Sequence, residues 1–62
     1  MWTPKAVRDL RDSLGLSQSQ FAKLVGCHVR AISKWERGER TPTGLYAQAL
    51  DRIAQEDTDG NE

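Results

Sequence analysis

Residues 16–44 read LSQSQFAKLVGCHVRAISKWERGERTPTG, and the spacing inside that stretch decides the fold. Ser17 and Gln20 make the S-x-x-Q capping-box pattern, with Leu16 and Phe21 at staple spacing, so a helix starts at Ser17. Phe21, Ala22, Leu24 and Val25 are expected to form its apolar side, and Gly26 breaks it. A second helix is predicted from about Val29 to Arg37. Its cap position falls on His28, a weaker cap than Ser or Asp, and Gly38 stands where a C-terminal glycine cap belongs. Between the two helices lies the turn Val25–Gly26–Cys27. Gly26 tolerates a positive φ. Ala22, four residues earlier, is small where the helices must cross, and Ile32 and Trp35 are expected to point back into the core.

Outward from this pair, two more helices are predicted. Thr3 followed by Pro4 is a start signal, with Trp2 and Val7 at staple spacing. Val7, Leu10 and Leu14 then recur at helical spacing up to Gly15. A last helix follows Glu39–Arg40–Thr41–Pro42 with Thr43 as N-cap. Leu45, Ala49, Leu50 and Ile53 are expected to face inward, and the helix to fade near Gln55. No strand-type alternation and no internal repeat is present. The fold class expected is all-α, four to five helices in one domain over residues 1–55, with a polar, acidic, disordered tail over 56–62.

Composition narrows the function. A chain of 62 residues has room for one small core. The lone Cys27 forbids an intrachain disulfide and fits a reducing cytoplasm. Cys27 and His28 fall short of the four ligands of a zinc site, so no metal and no cofactor are expected. The opening MWTPKAVRDL has no long apolar stretch, so neither a signal peptide nor a membrane span is expected. Net charge is zero, but its distribution is lopsided. Residues 1–40 carry eight cations against four carboxylates, and residues 41–62 carry one against five, giving +4 and −4. A basic front is the electrostatic footprint of a nucleic-acid binder; charges that merely solvate helix faces give the same totals.

The helix over 29–37 sharpens this. At ~100° per residue, Ile32 and Trp35 share one side, while Arg30, Ser33, Lys34 and Arg37 share the opposite one. That outer face holds three cations and a hydroxyl, with Glu36 off to the flank. Arg30 suits bidentate donation to guanine O6 and N7, Lys34 reaches the same acceptors, Ser33 bonds a base or a phosphate, and Val29 packs on a thymine methyl. A solvated basic face is the plainer reading of the same residues. Gln18 sits at a helix N-terminus, where backbone N–H groups favour an anion. Arg37 and Arg40 bracket the following turn as phosphate anchors. Trp35 next to cations could stack on a single-stranded base, but its place beside Ile32 assigns it to the core. The small–glycine–aliphatic spacing of Ala22, Gly26 and Ile32 is the packing requirement of a helix-turn-helix. An ordinary helical hairpin meets it too.

L-S-Q at 16–18, Ala22, Gly26, Ile32 and W-E-R-G at 35–38 together resemble the Cro/C1-type (XRE-like) helix-turn-helix family of phage repressors and antitoxins. The likeness runs from about Thr3 to Ile53, and TPKAVRDLRDSLGLSQSQFA resembles its antitoxin-like regulators. The resemblance implies a lambda-repressor-like fold, base reading by Val29, Arg30, Ser33 and Lys34, and phosphate contact by Gln18, Arg37 and Arg40. It also implies a structural ion pair between Arg11 and Glu36. The sequence departs from the family at His28, where Ser or Thr is usual. Capping the helix, touching a phosphate, or both, stay open for that residue.

The function expected is a sequence-specific regulator of transcription. It would bind duplex DNA through the major groove, as a homodimer on an inverted repeat, with helix four and the chain end as dimer surfaces by elimination. Tyr46, at the edge of helix four, is a candidate for that contact. A chain of this length opening on Met is expected to be a stand-alone repressor of its own operon. Phage Cro-like proteins, antitoxin autoregulators and anti-CRISPR-associated regulators fit equally. The competing class is an antitoxin module that neutralises a partner protein. The short acidic segment from Gln55 argues against it. No nucleophile–base pair, metal cluster or phosphate-binding glycine loop points to an enzyme.

Overall fold

The computed structural model describes the backbone of residues 1–60 and the side chains of residues 1–56. Four helices occur, α1 (Pro4–Leu14), α2 (Gln18–Val25), α3 (Val29–Arg37) and α4 (Gly44–Gly60), and no strand is present among the described residues.

Local chemistry sets most of the boundaries. The Thr3 side chain accepts from the Ala6 N–H at 3.1 Å, with Pro4 in the first helical position of α1. Ser17 and Gln20 complete the reciprocal capping box of α2, at 3.1 and 2.9 Å. Two orphan donors of the helix start are thereby satisfied. Gly26 ends α2 at φ 91°, a left-handed conformation that side-chain-bearing residues avoid. Its N–H and that of Cys27 both donate to the Ala22 carbonyl. The tight turn that results reverses the chain within three residues.

Among the described residues, nine buried side chains form one core: Val7 and Leu10 from α1, Phe21, Ala22 and Val25 from α2, Ile32 and Trp35 from α3, and Leu50 and Ile53 from α4. α3 packs against α1 and α2, and α4 closes the other side against the same two helices. The radius of gyration, 10.6 Å, equals the value of about 10.6 Å for a compact chain of this length. Trp2 ties the chain start to α4, its indole Nε1–H donating to the Asp51 carboxylate at 2.8 Å.

Three expectations are corrected. Leu24 is 52 % exposed, because it lies about 110° from the centre of the α2 face that Phe21, Ala22 and Val25 bury. Leu45 is 80 % exposed, since about 140° of helix rotation separates it from Leu50, which α4 buries completely. The α4 backbone stays helical to Gly60 and does not fade near Gln55. The tail expected over 56–62 falls in large part, from residue 57 onward, outside the residues whose side chains are described.

Candidate nucleic-acid interface

α3 is the most sharply two-sided of the four helices. Ile32 and Trp35 are buried in the core, while Arg30, Lys34 and Arg37 are exposed and Ser33 half-buried on the outer side; Val29, half-buried at the start of the helix, packs against the core. Positions 30, 33, 34 and 37 are spaced three and four apart, so their side chains stand one above another along the helix.

This helix is fixed from behind by Glu36. Its carboxylate is 6 % exposed and accepts two bonds from Arg11, Nε at 2.7 Å to Oε2 and Nη2 at 3.0 Å to Oε1. Gln18 Nε2 donates to Oε1 at 3.3 Å, and Arg8 stands 3.7 Å from the same oxygen. Arg8 also donates to the Glu36 carbonyl, and Arg11 to the Leu16 carbonyl, each through its guanidinium. One buried acid thus joins α1, the start of α2 and the end of α3. Burial alone would push the Glu36 carboxyl up. The hydrogen bonds from Arg11 and Gln18, with the charges of Arg11 and Arg8, outweigh it and hold the carboxyl below its ordinary value. The hydrogen bond it donates to Glu36 holds the Arg11 guanidinium above its ordinary value.

The flanking residues are placed as follows. His28 caps α3: its Nδ1 accepts from the Arg30 N–H at 3.1 Å. An acceptor Nδ1 puts the ring proton on Nε2, leaving a donor for another partner. Arg37 is not the unopposed cation the helical wheel implied. Gly38 turns the chain back so that Glu39 meets Arg37 at 2.7 Å, with both side chains more than half exposed. Such a surface pair is worth little. Lys34 and Arg40 line one groove of about 300 Å³ together with Ala31, Trp35, Thr41, Thr43 and Tyr46. The Trp35 and Tyr46 rings lie 5.6 Å apart, so α4 props the C-terminal part of α3. Cys27, in the turn, is half-buried, and burial pushes its thiol up, away from the reactive thiolate.

The helix-turn-helix family model matches residues 7–60, from the first buried residue of α1 to the end of α4. The chain belongs to the Cro/C1-type helix-turn-helix family. It is accordingly a DNA-binding transcription regulator in the general sense of that family. No curated protein and no solved structure matches the chain. Within this family frame α2 and α3 are the two helices of the motif, with Gly26 in its turn. Among the described residues, no helix is long and apolar enough to cross a membrane, and no three side chains are grouped to hold a metal.

Several residues in and around the helix-turn-helix were missed by the sequence reading or read only in part. Arg8 is one, although it lies three residues before Arg11 on the same face of α1. Gln18 was read as a phosphate anchor only, yet its amide is bonded to Glu36. Thr43 was read as an N-cap alone and Thr41 was given no role; two hydroxyls flanking Pro42 just after a basic turn were the signal for the groove.

Proposed function

We propose that the chain is a repressor that binds an inverted repeat as a homodimer, each copy inserting α3 into the major groove. The observation that carries the reading is the cationic outer face of α3, held rigidly from behind by the buried Glu36. A reader must hold its donors in fixed geometry for base edges to be told apart. Arg30 is assigned to a guanine edge, Lys34 and Ser33 to neighbouring acceptors, and Val29 to a thymine methyl. The Nε2–H of His28, the second amide N–H of Gln18, Arg37 and Arg40 are assigned to phosphates, which fix register and carry the salt dependence. A single module of this size has a small footprint, so specificity calls for a second copy. The two half-sites are then about one helical turn, ~34 Å, apart. The setting proposed is the cytoplasm of a prokaryotic or phage-infected cell.

Selection of bound duplexes from a random pool tests this. The expected product is a palindromic motif with half-sites about 10 base pairs apart, centre to centre. A pool that returns no enriched sequence contradicts the reading and directs attention to a protein partner instead.

A further inference from the structure

α3 ends in a Schellman motif. The Gly38 N–H donates to the Trp35 carbonyl at 3.2 Å and the Glu39 N–H to the Lys34 carbonyl at 2.9 Å, with Gly38 left-handed at φ 78°. These two bonds bring residue 39 back beside the last turn of the helix. There Glu39 Oε2 stands 2.7 Å from Arg37 Nε. Between Val29 and Thr43 the sequence has two acids, Glu36 and Glu39. Glu36 is buried and committed to Arg11. Glu39 is therefore the one carboxylate that this stretch exposes, and it meets a cation of the outer α3 face.

Helix stability does not account for an acid at this place. The C-terminus of a helix carries partial negative charge, which disfavours a carboxylate, and an exposed ion pair contributes little. The chemistry it does match is that of a phosphate. An anionic oxygen lies at charge-assisted hydrogen-bonding distance from a guanidinium N–H.

We propose that Glu39 is an internal stand-in for a backbone phosphate, holding Arg37 in the free protein and releasing it when DNA arrives. DNA must break the pair before Arg37 can grip, so Glu39 lowers affinity by the strength of that pair. Arg37 is assigned to a phosphate and not to a base, so the reduction falls on every sequence alike. Glu39 thus restrains the sequence-independent grip at the end of α3, while base reading by the rest of the helix is untouched. This role rests on the proposed reading of the α3 face as a DNA interface.

A double-mutant cycle of Glu39→Gln, Arg37→Ala and the two together tests it. Circular dichroism first confirms that each variant is folded. Dissociation constants are then measured on the selected duplex and on one of unrelated sequence. The salt is held at ~0.15 M, where repulsion beyond about 8 Å is screened. Glu39→Gln is expected to bind both duplexes about 2- to 5-fold more tightly, the fold-change that corresponds to an exposed pair. Arg37→Ala is expected to bind both more weakly than wild type. Adding Glu39→Gln to it is expected to gain less than about 1.5-fold, because no pair is left to break. A gain that survives Arg37→Ala would mean general repulsion between Glu39 and DNA, and overturns the proposal. Unchanged or weaker binding by Glu39→Gln overturns it as well, the weaker case marking Glu39 as a support that orients Arg37 toward DNA. If none of the four proteins binds either duplex, the DNA reading itself fails and takes the proposal with it. Binding by wild type without the expected gain removes the proposal alone.

Discussion

Replacing Glu36 by alanine removes the acceptor that Arg11 grips at 2.7 and 3.0 Å and that Gln18 reaches at 3.3 Å. Deleting one partner of a buried pair costs about 3–5 kcal/mol, because the other charge is left uncompensated. Arg11 retains the Leu16 carbonyl at 3.0 Å and Asp12 at 3.8 Å, and its side chain is 18 % exposed. Partial rehydration brings the expected loss to about 2–3 kcal/mol. A domain of this length holds only about 3–9 kcal/mol in total. At roughly 4–8 °C per kcal/mol, the melting temperature should fall by about 10–20 °C. Thermal melts followed by circular dichroism at neutral pH measure this. The pH dependence adds a second check. The folded carboxyl is held below its unfolded value, so its stabilisation is fully present above the unfolded carboxylate range, about pH 4.3, and is lost as pH falls through the lower folded value. The gap between wild type and Glu36→Gln should therefore shrink as the pH drops below ~4. A Glu36→Ala variant melting within about 3 °C of wild type, or a gap that does not close in acid, would refute the brace.

Other substitutions probe the turn and the face. Gly26→Ala meets open space, so its cost is backbone strain alone at φ 91°. About 1–2 kcal/mol should disappear from the urea unfolding free energy, and an unchanged midpoint would mean the turn relaxes without a left-handed residue. Arg30→Ala should weaken the selected duplex by about 1–3 kcal/mol and relax preference at one base position; an equal loss on random DNA would make Arg30 a phosphate contact. Arg40→Ala should weaken all sequences alike and flatten the salt dependence by about one unit, and a slope identical to wild type would remove Arg40 from the phosphate set.

Much of this fold is written in short-range chemistry. Thr3–Pro4, the Ser17–Gln20 box and the glycines after α1, α2 and α3 act within one turn of helix, so the boundaries follow from neighbours in sequence. Ile32 and Trp35 were legible because helical periodicity alone puts them opposite Arg30 and Lys34. Tertiary partners were less legible. The Trp2–Asp51 bond spans the chain from its start to α4, and nothing local marks either residue for the other. Arg11 and Glu36 were paired by family resemblance, whereas Arg8 and Gln18, which converge on the same acid, carry no such mark. Leu24 and Leu45 misled the reading because hydrophobicity alone does not tell a core position from an exposed one. Helix rotation relative to the packed face decides that, and it depends on where the neighbouring helices lie.

The outer face of α3 is proposed to read duplex DNA. Amide chemical-shift mapping during titration with the selected duplex tests it most directly. Perturbations should concentrate on Val29–Arg37, with flanking shifts at Gln18, His28 and Arg40, while the outer face of α1 around Lys5 and Asp9 stays unmoved. Shifts centred on α1, or spread evenly with none favouring α3, would contradict it.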